Sequence, residues 1–400
     1  MKPRLLFFIR EAFPTFRPDV VDLFGRYLPQ CGVYSDLVAV SVEDAEWGGG
    51  RVFARPLRGR FPRWIARFRL AFDLFDLARG EYMGIQVRDC ILEAGIGLLA
   101  AHWHRKPFYY WMSFPFPESW LEHGVPGASP GIGTGRRLLW RLQGHIAAWL
   151  LYRTILPRVD HAFVQSEAMR QALARRGIAQ ERMTAVPMGV AIPEAVVEVP
   201  PQDAQRLAGR RVVVYLGVIY TQRNSEVMFQ AMNLVRREIP EALLLVVGDA
   251  ETPSEKAWFE QLIGNEGLQD HVWITGWLPR GQAWGYMRHA EIGVSAFART
   301  PVFEVASPTK IGEYLACGIP VVANDQPDQA YLLRETGGGL CVPLTAEGFA
   351  EGILKLLRDP EWARRMGRSG QNAILRLRGY EVIARELARR YRHLAAENRS

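Results

Sequence analysis

The sequence predicts an α/β fold of two doubly wound, Rossmann-like domains facing each other across a cleft. Three observations predict it. Short apolar runs alternate with helical stretches in two successive series, the runs of the second series are continuously aliphatic, and a proline-marked segment separates the two. Alternation of strands and helices implies parallel sheets in βαβ units. Unbroken Val/Ile/Leu runs are what a sheet covered on both faces requires.

In the first series, Leu5–Ile9, Leu37–Ser41, Gly84–Val87, Phe108–Trp111 and His161–Gln165 read as strands. Leu5–Ile9 is too short for a signal-peptide core and Arg10-Glu11 closes it with charge, so it is expected to be the first buried strand. Helices are expected over Asp19–Gln30, Cys90–His104 and Ser166–Arg176, the last with Ser166 as N-cap and Gly177 as its stop. The break is Pro193–Pro201. Beyond it, Arg211–Leu216, Leu243–Val247, Val272–Thr275, Ile292–Ser295 and Ile319–Ala323 form the second series. The expected division is a first domain over 1–192, a linker over 193–208, a second domain over 209–375 and a terminal helix over 376–400. In doubly wound sheets ligands bind beyond the carboxyl ends of the strands.

A chain of 400 residues, 48% hydrophobic and 23% charged, is long enough for two cores. It holds no apolar run of the length that spans a bilayer. Its four cysteines (Cys31, Cys90, Cys317 and Cys341) lie far apart with no C-x-x-C pair, which argues against a disulfide framework or zinc site and fits a reducing cytoplasm. The net charge is +7. The excess gathers in two acid-free stretches, one from Arg51 to Leu70 and one from His123 to Val159, where arginines mix with Trp64, Phe68, Trp140 and Trp149. Arginine beside large apolar residues suits peripheral contact with an anionic membrane; an ordinary solvated helix face is the alternative. No nucleic-acid module accompanies the charge.

Ala306 to Ala323 (A-S-P-T-K-I-G-E-Y-L-A-C-G-I-P-V-V-A) is the most informative segment. Ser307 suits an N-cap, Pro308 the first helical position and Gly318 the left-handed position at the far end, so a short helix feeding a buried strand is expected. A helix N-terminus seats phosphate. Lys310 and Glu313, three apart, share a face. The lysine suits diphosphate charge and the carboxylate suits ribose hydroxyls; an exposed surface ion pair is the alternative.

This segment resembles the donor-site signature of the retaining glycosyltransferase family 4, in its P-S/T-K-hydrophobic-x-E-Y variant. Tyr215-Leu216-Gly217 with Arg223 six residues on, Leu244–Asp249 with its turn at Gly248, and Val272–Pro279 are similar to the family's other donor-domain pieces. In the first half, Phe163–Glu167 and Val186–Val190 are similar to its strand, turn and pre-linker signature. The resemblance implies the GT-B fold, with the last helix crossing back onto the first domain. It implies a donor site of Gly217, Arg223, Gly248, Trp277, Leu278, Ser307, Thr309, Lys310 and Glu313, in which Arg223, Lys310 and Glu313 act in catalysis. The chain departs from the pattern at Val305, where many members carry a first glutamate that neighbouring Glu304 would have to replace. It departs also at Val218, where an arginine is common, and around Trp111-Met112-Ser113, where a histidine is frequent. No D-x-D motif is present, so no metal or other cofactor is expected, and the His102-x-His104 pair diverges on a helix.

Two loops of the first half are candidate acceptor elements. Val87-Arg88-Asp89 closes a strand with a charge pair at the cleft edge, whose alternative role is an N-cap with a local ion pair. Trp111 to Glu118 follows the next strand, with Ser113 and Glu118 as its polar candidates; simple packing of its Phe and Pro residues against the domain is the alternative. The expected activity is retaining transfer of a hexose-type unit from a nucleoside diphosphate sugar to a polysaccharide or lipid-linked glycan, at the cytoplasmic face of the membrane. The alternatives are an inactive homologue that only binds nucleotide sugar or membrane, and a sugar-nucleotide epimerase.

Overall fold

The computed structural model describes residues 3–43, 45–56, 63–125 and 133–397. The chain divides into two units. The first comprises Met1–Gly189, Val305–Ser307 and Tyr380–Ser400, and the second Val190–Glu304 and Pro308–Gly379.

The first unit is built on seven parallel strands: β1 (Arg4–Phe13), β2 (Tyr34–Ser41), β3 (Val52–Pro56), β4 (Gly84–Arg88), β5 (Phe108–Met112), β6 (His161–Val164) and β7 (Met183–Ala185). Their order is β3-β2-β1-β4-β5-β6-β7, so the winding reverses between β1 and β4. Strands β4 and β5 are buried at every position; β5 is wholly apolar and aromatic, whereas β4 includes Gln86 and Arg88, each with a buried hydrogen-bond partner. Helical segments α1 (Asp19–Tyr27), α2 (Arg63–Leu77), α3 (Ile91–Trp103), α4 (Phe116–His123), α5 (Thr134–Trp149, continued by Leu150–Ile155) and α6 (Glu167–Ala174) flank the sheet. Leu70, Leu74, Ala94, Ala101, Leu151 and Ile155 pack on Phe8, Val87 and Tyr110 in one core. Ser166 caps α6 as expected, accepting from the Met169 N–H at 2.9 Å.

Six parallel strands build the second unit: β8 (Arg211–Leu216), β9 (Ala242–Val247), β10 (Val272–Ile274), β11 (Ile292–Ser295), β12 (Val321–Asn324) and β13 (Gly339–Val342). Their order is β10-β9-β8-β11-β12-β13, and the reversal falls between β8 and β11. The helices are α7 (Pro201–Leu207), α8 (Glu226–Glu238), α9 (Pro253–Asn265), α10 (Arg280–Met287), α11 (Pro301–Glu304), α12 (Thr309–Ala316), α13 (Pro327–Thr336), α14 (Ala346–Arg358) and α15 (Pro360–Arg378). Both sheet faces are covered, by a core around Phe229, Phe259 and Phe349 and by another around Trp284, Ile311 and Leu315. Residues 201–207, inside the segment read as a linker, form α7, whose Leu207 is buried in the second of these cores.

The last helix, α16 (Tyr380–Glu397), belongs to the first unit. Its fully buried Tyr391 sets its ring 4.8 Å from Phe163 and 5.8 Å from Tyr109, and its hydroxyl donates to Gln86 Oε1. Residues 305–307 also join the first unit. The Val305 carbonyl accepts from Ser166 Oγ at 2.7 Å, and its side chain packs on the first unit's core.

Candidate functional site

The winding reversals at β1/β4 and β8/β11 are where doubly wound sheets place ligands. In the second unit the chain turns sharply there. Gly217 has φ +109° and Gly248 has φ +151°, both values that favour glycine. A Cβ on Gly248 would collide with the Gly217 carbonyl, so the two turns close tightly over the ends of β8 and β9. After Gly217 the chain enters the short Thr221–Arg223 turn, which brings Arg223 back toward Tyr220, Phe297 and Phe303.

Lys310, in the first turn of α12, is buried with its Nζ 3.7 Å from the centroid of the Tyr215 ring and 5.3 Å from that of Phe297. The Arg223 guanidinium lies 4.6 Å from the Tyr220 ring and 5.0 Å from that of Phe297. Two cations thus share one aromatic wall. Among the described residues no carboxylate lies within ion-pair distance of either, and Lys310 Nζ and Arg223 Nε find no hydrogen-bond partner. Burial brings the Lys310 ammonium down to about 8; the Tyr215 hydroxyl opposes the shift and Arg223 adds to it. For Tyr215, burial raises the hydroxyl but Lys310 and Arg223 outweigh it, leaving the group at about 8. Burial works against the Arg223 charge, yet Tyr220 and Tyr215 hold its pKa above the ordinary value. A pair of desolvated cations with no carboxylate in contact, supported only by tyrosine hydroxyls and by Glu313 at longer range, favours an anion beside it.

Glu313, one turn beyond Lys310, lies with Oε1 3.9 Å from Arg280 Nε, and its side chain is largely covered. Tyr314, which the sequence reading did not single out, is fully buried. Its hydroxyl accepts from the Leu216 N–H at 2.6 Å, tying α12 to the end of β8. Gly293 leaves the space its ring occupies. The expected cap of α12 is corrected. The helix begins at Thr309 with Pro308 at the flanking position, and the Ser307 hydroxyl accepts instead from the Met188 N–H at 3.0 Å. Ser307 lies in the first unit and Thr309 in the second. The left-handed stop at Gly318 is as expected, with φ +76°.

Leu278 packs against the core beside Ile311, whereas the Trp277 side chain is exposed after the Gly276 turn. Glu304 pairs with Arg299 at 2.8 Å, and Arg299 also holds Asp325 at 2.6 Å. Its carboxylate is thus engaged. The wall itself is held from behind by a buried amide cluster. Asn324 accepts from the Phe297 N–H at 2.9 Å and donates to the Phe297 carbonyl at 3.0 Å, while Gln326 donates to the Phe303 carbonyl at 2.9 Å.

In the first unit, Arg88, Asp89 and Ser113 come together at the β1/β4 reversal. Arg88 is fully buried, 2.7 Å from Glu11, 2.9 Å from Asp19 and 3.2 Å from Asp89, and donates to Ser113 Oγ at 2.8 Å. Asp89, at φ +57°, accepts from the Ser113 N–H at 2.7 Å and from its hydroxyl. Of the alternative weighed for Arg88-Asp89, the local ion pair is present and the cap is not, since Cys90 takes the flanking position of α3. Burial raises the Asp89 carboxyl against the pull of Arg88; for Asp19, burial is outweighed by Arg88 and its pKa falls. A cavity of about 300 Å³ opens beside this network, lined by Arg10, Glu11, Ala12, Val40 and Arg67. Glu118 stands apart, accepting from the Tyr152 hydroxyl at 2.7 Å and paired with Arg176 at 2.6 Å.

Residues 201–373 match the family model of the glycosyl transferases, group 1. The chain is 27% identical over 165 residues to an alpha-D-kanosaminyltransferase of Streptomyces kanamyceticus, covering 40% of each chain. It is 30% identical over 161 residues to the O-antigen biosynthesis protein RfbC of Myxococcus xanthus, covering 40% of this chain and 11% of that one. These matches therefore span less than half the length of either relative. Among solved structures, Anabaena HepE in complex with UDP superposes with a TM-score of 0.71 at 17% identity, covering 98% of this chain and all of that one. Sucrose-phosphate synthase from Thermosynechococcus elongatus gives 0.72 at 20% identity, covering 99% and 100%. The fold matches GT-B glycosyltransferase structures: two Rossmann-like units with parallel sheets.

Proposed function

We propose that the chain is a glycosyltransferase that moves a hexose-type unit from a nucleoside diphosphate sugar to a polysaccharide or lipid-linked glycan, with retention and without a metal ion. Its place would be the cytoplasmic face of a membrane. The observation that carries the donor side is the pair Arg223 and Lys310, desolvated against Tyr215, Tyr220 and Phe297 with no carboxylate partner among the described residues. Such a pair favours a diphosphate, and favours it most as negative charge develops on the leaving group.

In the proposed reaction the bond from the sugar's anomeric carbon to the diphosphate oxygen breaks, and a bond to the acceptor oxygen forms on the same face. The acceptor's proton passes to a departing diphosphate oxygen, so no protein base is required. Arg223 and Lys310 take up the leaving charge, and Glu313 holds the ribose hydroxyls. Positioning both substrates supplies the rest of the acceleration. The matched segment from 201 to 373 supports this reading, because it contains Arg223, Lys310 and Glu313.

The test is a thermal-shift panel of UDP, GDP and ADP with wild type and Glu313→Ala. A ligand at a hundred times its dissociation constant stabilises by about 2.7 kcal/mol, enough for a shift of several degrees. UDP is the first probe because HepE is seen in complex with it. One nucleotide should raise the melting temperature of wild type, and Glu313→Ala should lose most of that shift. If no nucleotide shifts wild type, the donor assignment is wrong.

A further inference from the structure

Helices α2, α3 and α5 of the first unit each carry a second apolar stripe that the core does not use. At ~100° per residue, the buried side of α5 holds Gly144 and Ala147, while Leu138, Leu142, Ile146 and Trp149 fall on the opposite side and are exposed. In α3, Ala94, Gly97 and Ala101 are buried, whereas Leu92, Leu99 and Trp103 line the outer side, with Trp103 77% exposed. Trp64, Phe68 and Phe72 form the outer row of α2, with Phe68 and Phe72 edge to face at 5.3 Å. Helix α2 packs beside α3, and α3 beside the Leu150–Ile155 continuation of α5. A helix of a soluble domain ordinarily shows one apolar stripe, turned inward. Outward stripes on α2 and α3, which pack together, and on α5, joined to α3 through its continuation, are of a kind that marks an interaction surface.

Charge decides the occupant. Arg136, Arg141 and Arg153 are exposed along α5 and its continuation, and no acidic residue occurs between His123 and Val159. On α2 and α3 the carboxylates are engaged: Asp73 by Arg55, Asp76 by Arg79 and Glu93 by Arg67. The patch thus presents leucine, phenylalanine and tryptophan rimmed by arginine with no exposed unpaired carboxylate among the described residues of these helices. Acyl chains below and anionic headgroups above complement such a face. No described helix is long and apolar enough to cross a membrane, so the contact is one of lying on the surface.

We propose that the outer faces of α2, α3 and α5 are an anionic-membrane docking surface. The inference rests on the membrane-side part of the reading above and not on the donor site. Full-length protein is floated with vesicles of phosphatidylcholine plus phosphatidylglycerol, and with phosphatidylcholine alone, at low and high salt. Wild type should float with the anionic vesicles, less at high salt. Leu138→Glu/Ile146→Glu should reduce partitioning about tenfold or more, and Trp64→Ser/Trp103→Ser should reduce it independently. Each variant is checked for an unchanged melting temperature and an unchanged UDP shift, which separates loss of docking from loss of fold. Wild type and both variants floating equally would move docking to another surface and overturn the proposal. So would wild type that ignores both vesicles, or that sediments as a dimer which the glutamate variant breaks; a UDP shift retained in either case leaves the donor reading standing.

Discussion

At the scale of single residues, Lys310 and Tyr215 behave as one titrating pair, each brought to about 8. Whichever group gives up its proton as pH rises through that value, the site loses one positive charge. On the proposed function, affinity for a diphosphate should be full below about 8 and fall above it. Titration of UDP against wild type between pH 7 and 9 should show roughly a tenfold loss, and Lys310→Arg/Tyr215→Phe should flatten it. Affinity that stays constant over that range would exclude the pair from the anion site. Arg88 offers a contrasting case, because its carboxylate partners surround it completely. Arg88→Met would leave Glu11, Asp19 and Asp89 without their shared cation, a loss of about 3–5 kcal/mol. It should lower the melting temperature while sparing the UDP-induced shift. Lys310 and Glu313 were legible in the sequence because their relation is local, one helical turn. Phe297 and Phe303 were not, because their contacts with Arg223 join segments far apart along the chain, and Tyr215, named only as part of a strand end, gave no sign of its contact with Lys310.

Elements set where those side chains stand. The C-terminal residue of β12, Asn324, grips the backbone of Phe297 from both its N–H and its carbonyl. Asn324→Ala leaves a buried N–H and a buried carbonyl unpaired, at a cost of about 1–3 kcal/mol each. The expected result is a lower melting temperature together with weaker UDP binding, because the aromatic wall loses its backing. Unchanged UDP affinity in a folded variant would show that the wall stands without Asn324. Gly293→Ala should also destabilise, by about 1–3 kcal/mol, since the added methyl meets the Tyr314 ring. Central strands were readable as aliphatic runs. The missed β3, β7 and β13 are all edge strands, where half-solvated positions admit Arg55, Thr184 and Cys341 and dilute the signal. The start of α12 was misread because Ser307, an able cap by type, has a competing donor in Met188 that no local window contains.

For the molecule as a whole, the two-series rhythm was enough to predict two parallel sheets, since each βαβ repeat is written in consecutive residues. What escaped was the membership of residues 305–307, a three-residue return to the first unit that reads locally as the lead-in to a helix. The return of α16 can be tested. Tyr391 fills a slot against Phe163 and Tyr109, so Tyr391→Ala should cost about 3–5 kcal/mol in the first unit. Its melting transition should fall while the second unit keeps its response to UDP; an unshifted transition would mean that the helix end contributes little. That same arrangement bears on how the protein is made. Nascent domains generally fold as units in order of emergence, but here the earlier-made unit waits for residues translated after the later one. Until Tyr391 leaves the ribosome, Tyr109 and Phe163 lack the ring that covers them, so the second unit is free to mature first and the newborn first unit is the one a chaperone would need to shelter.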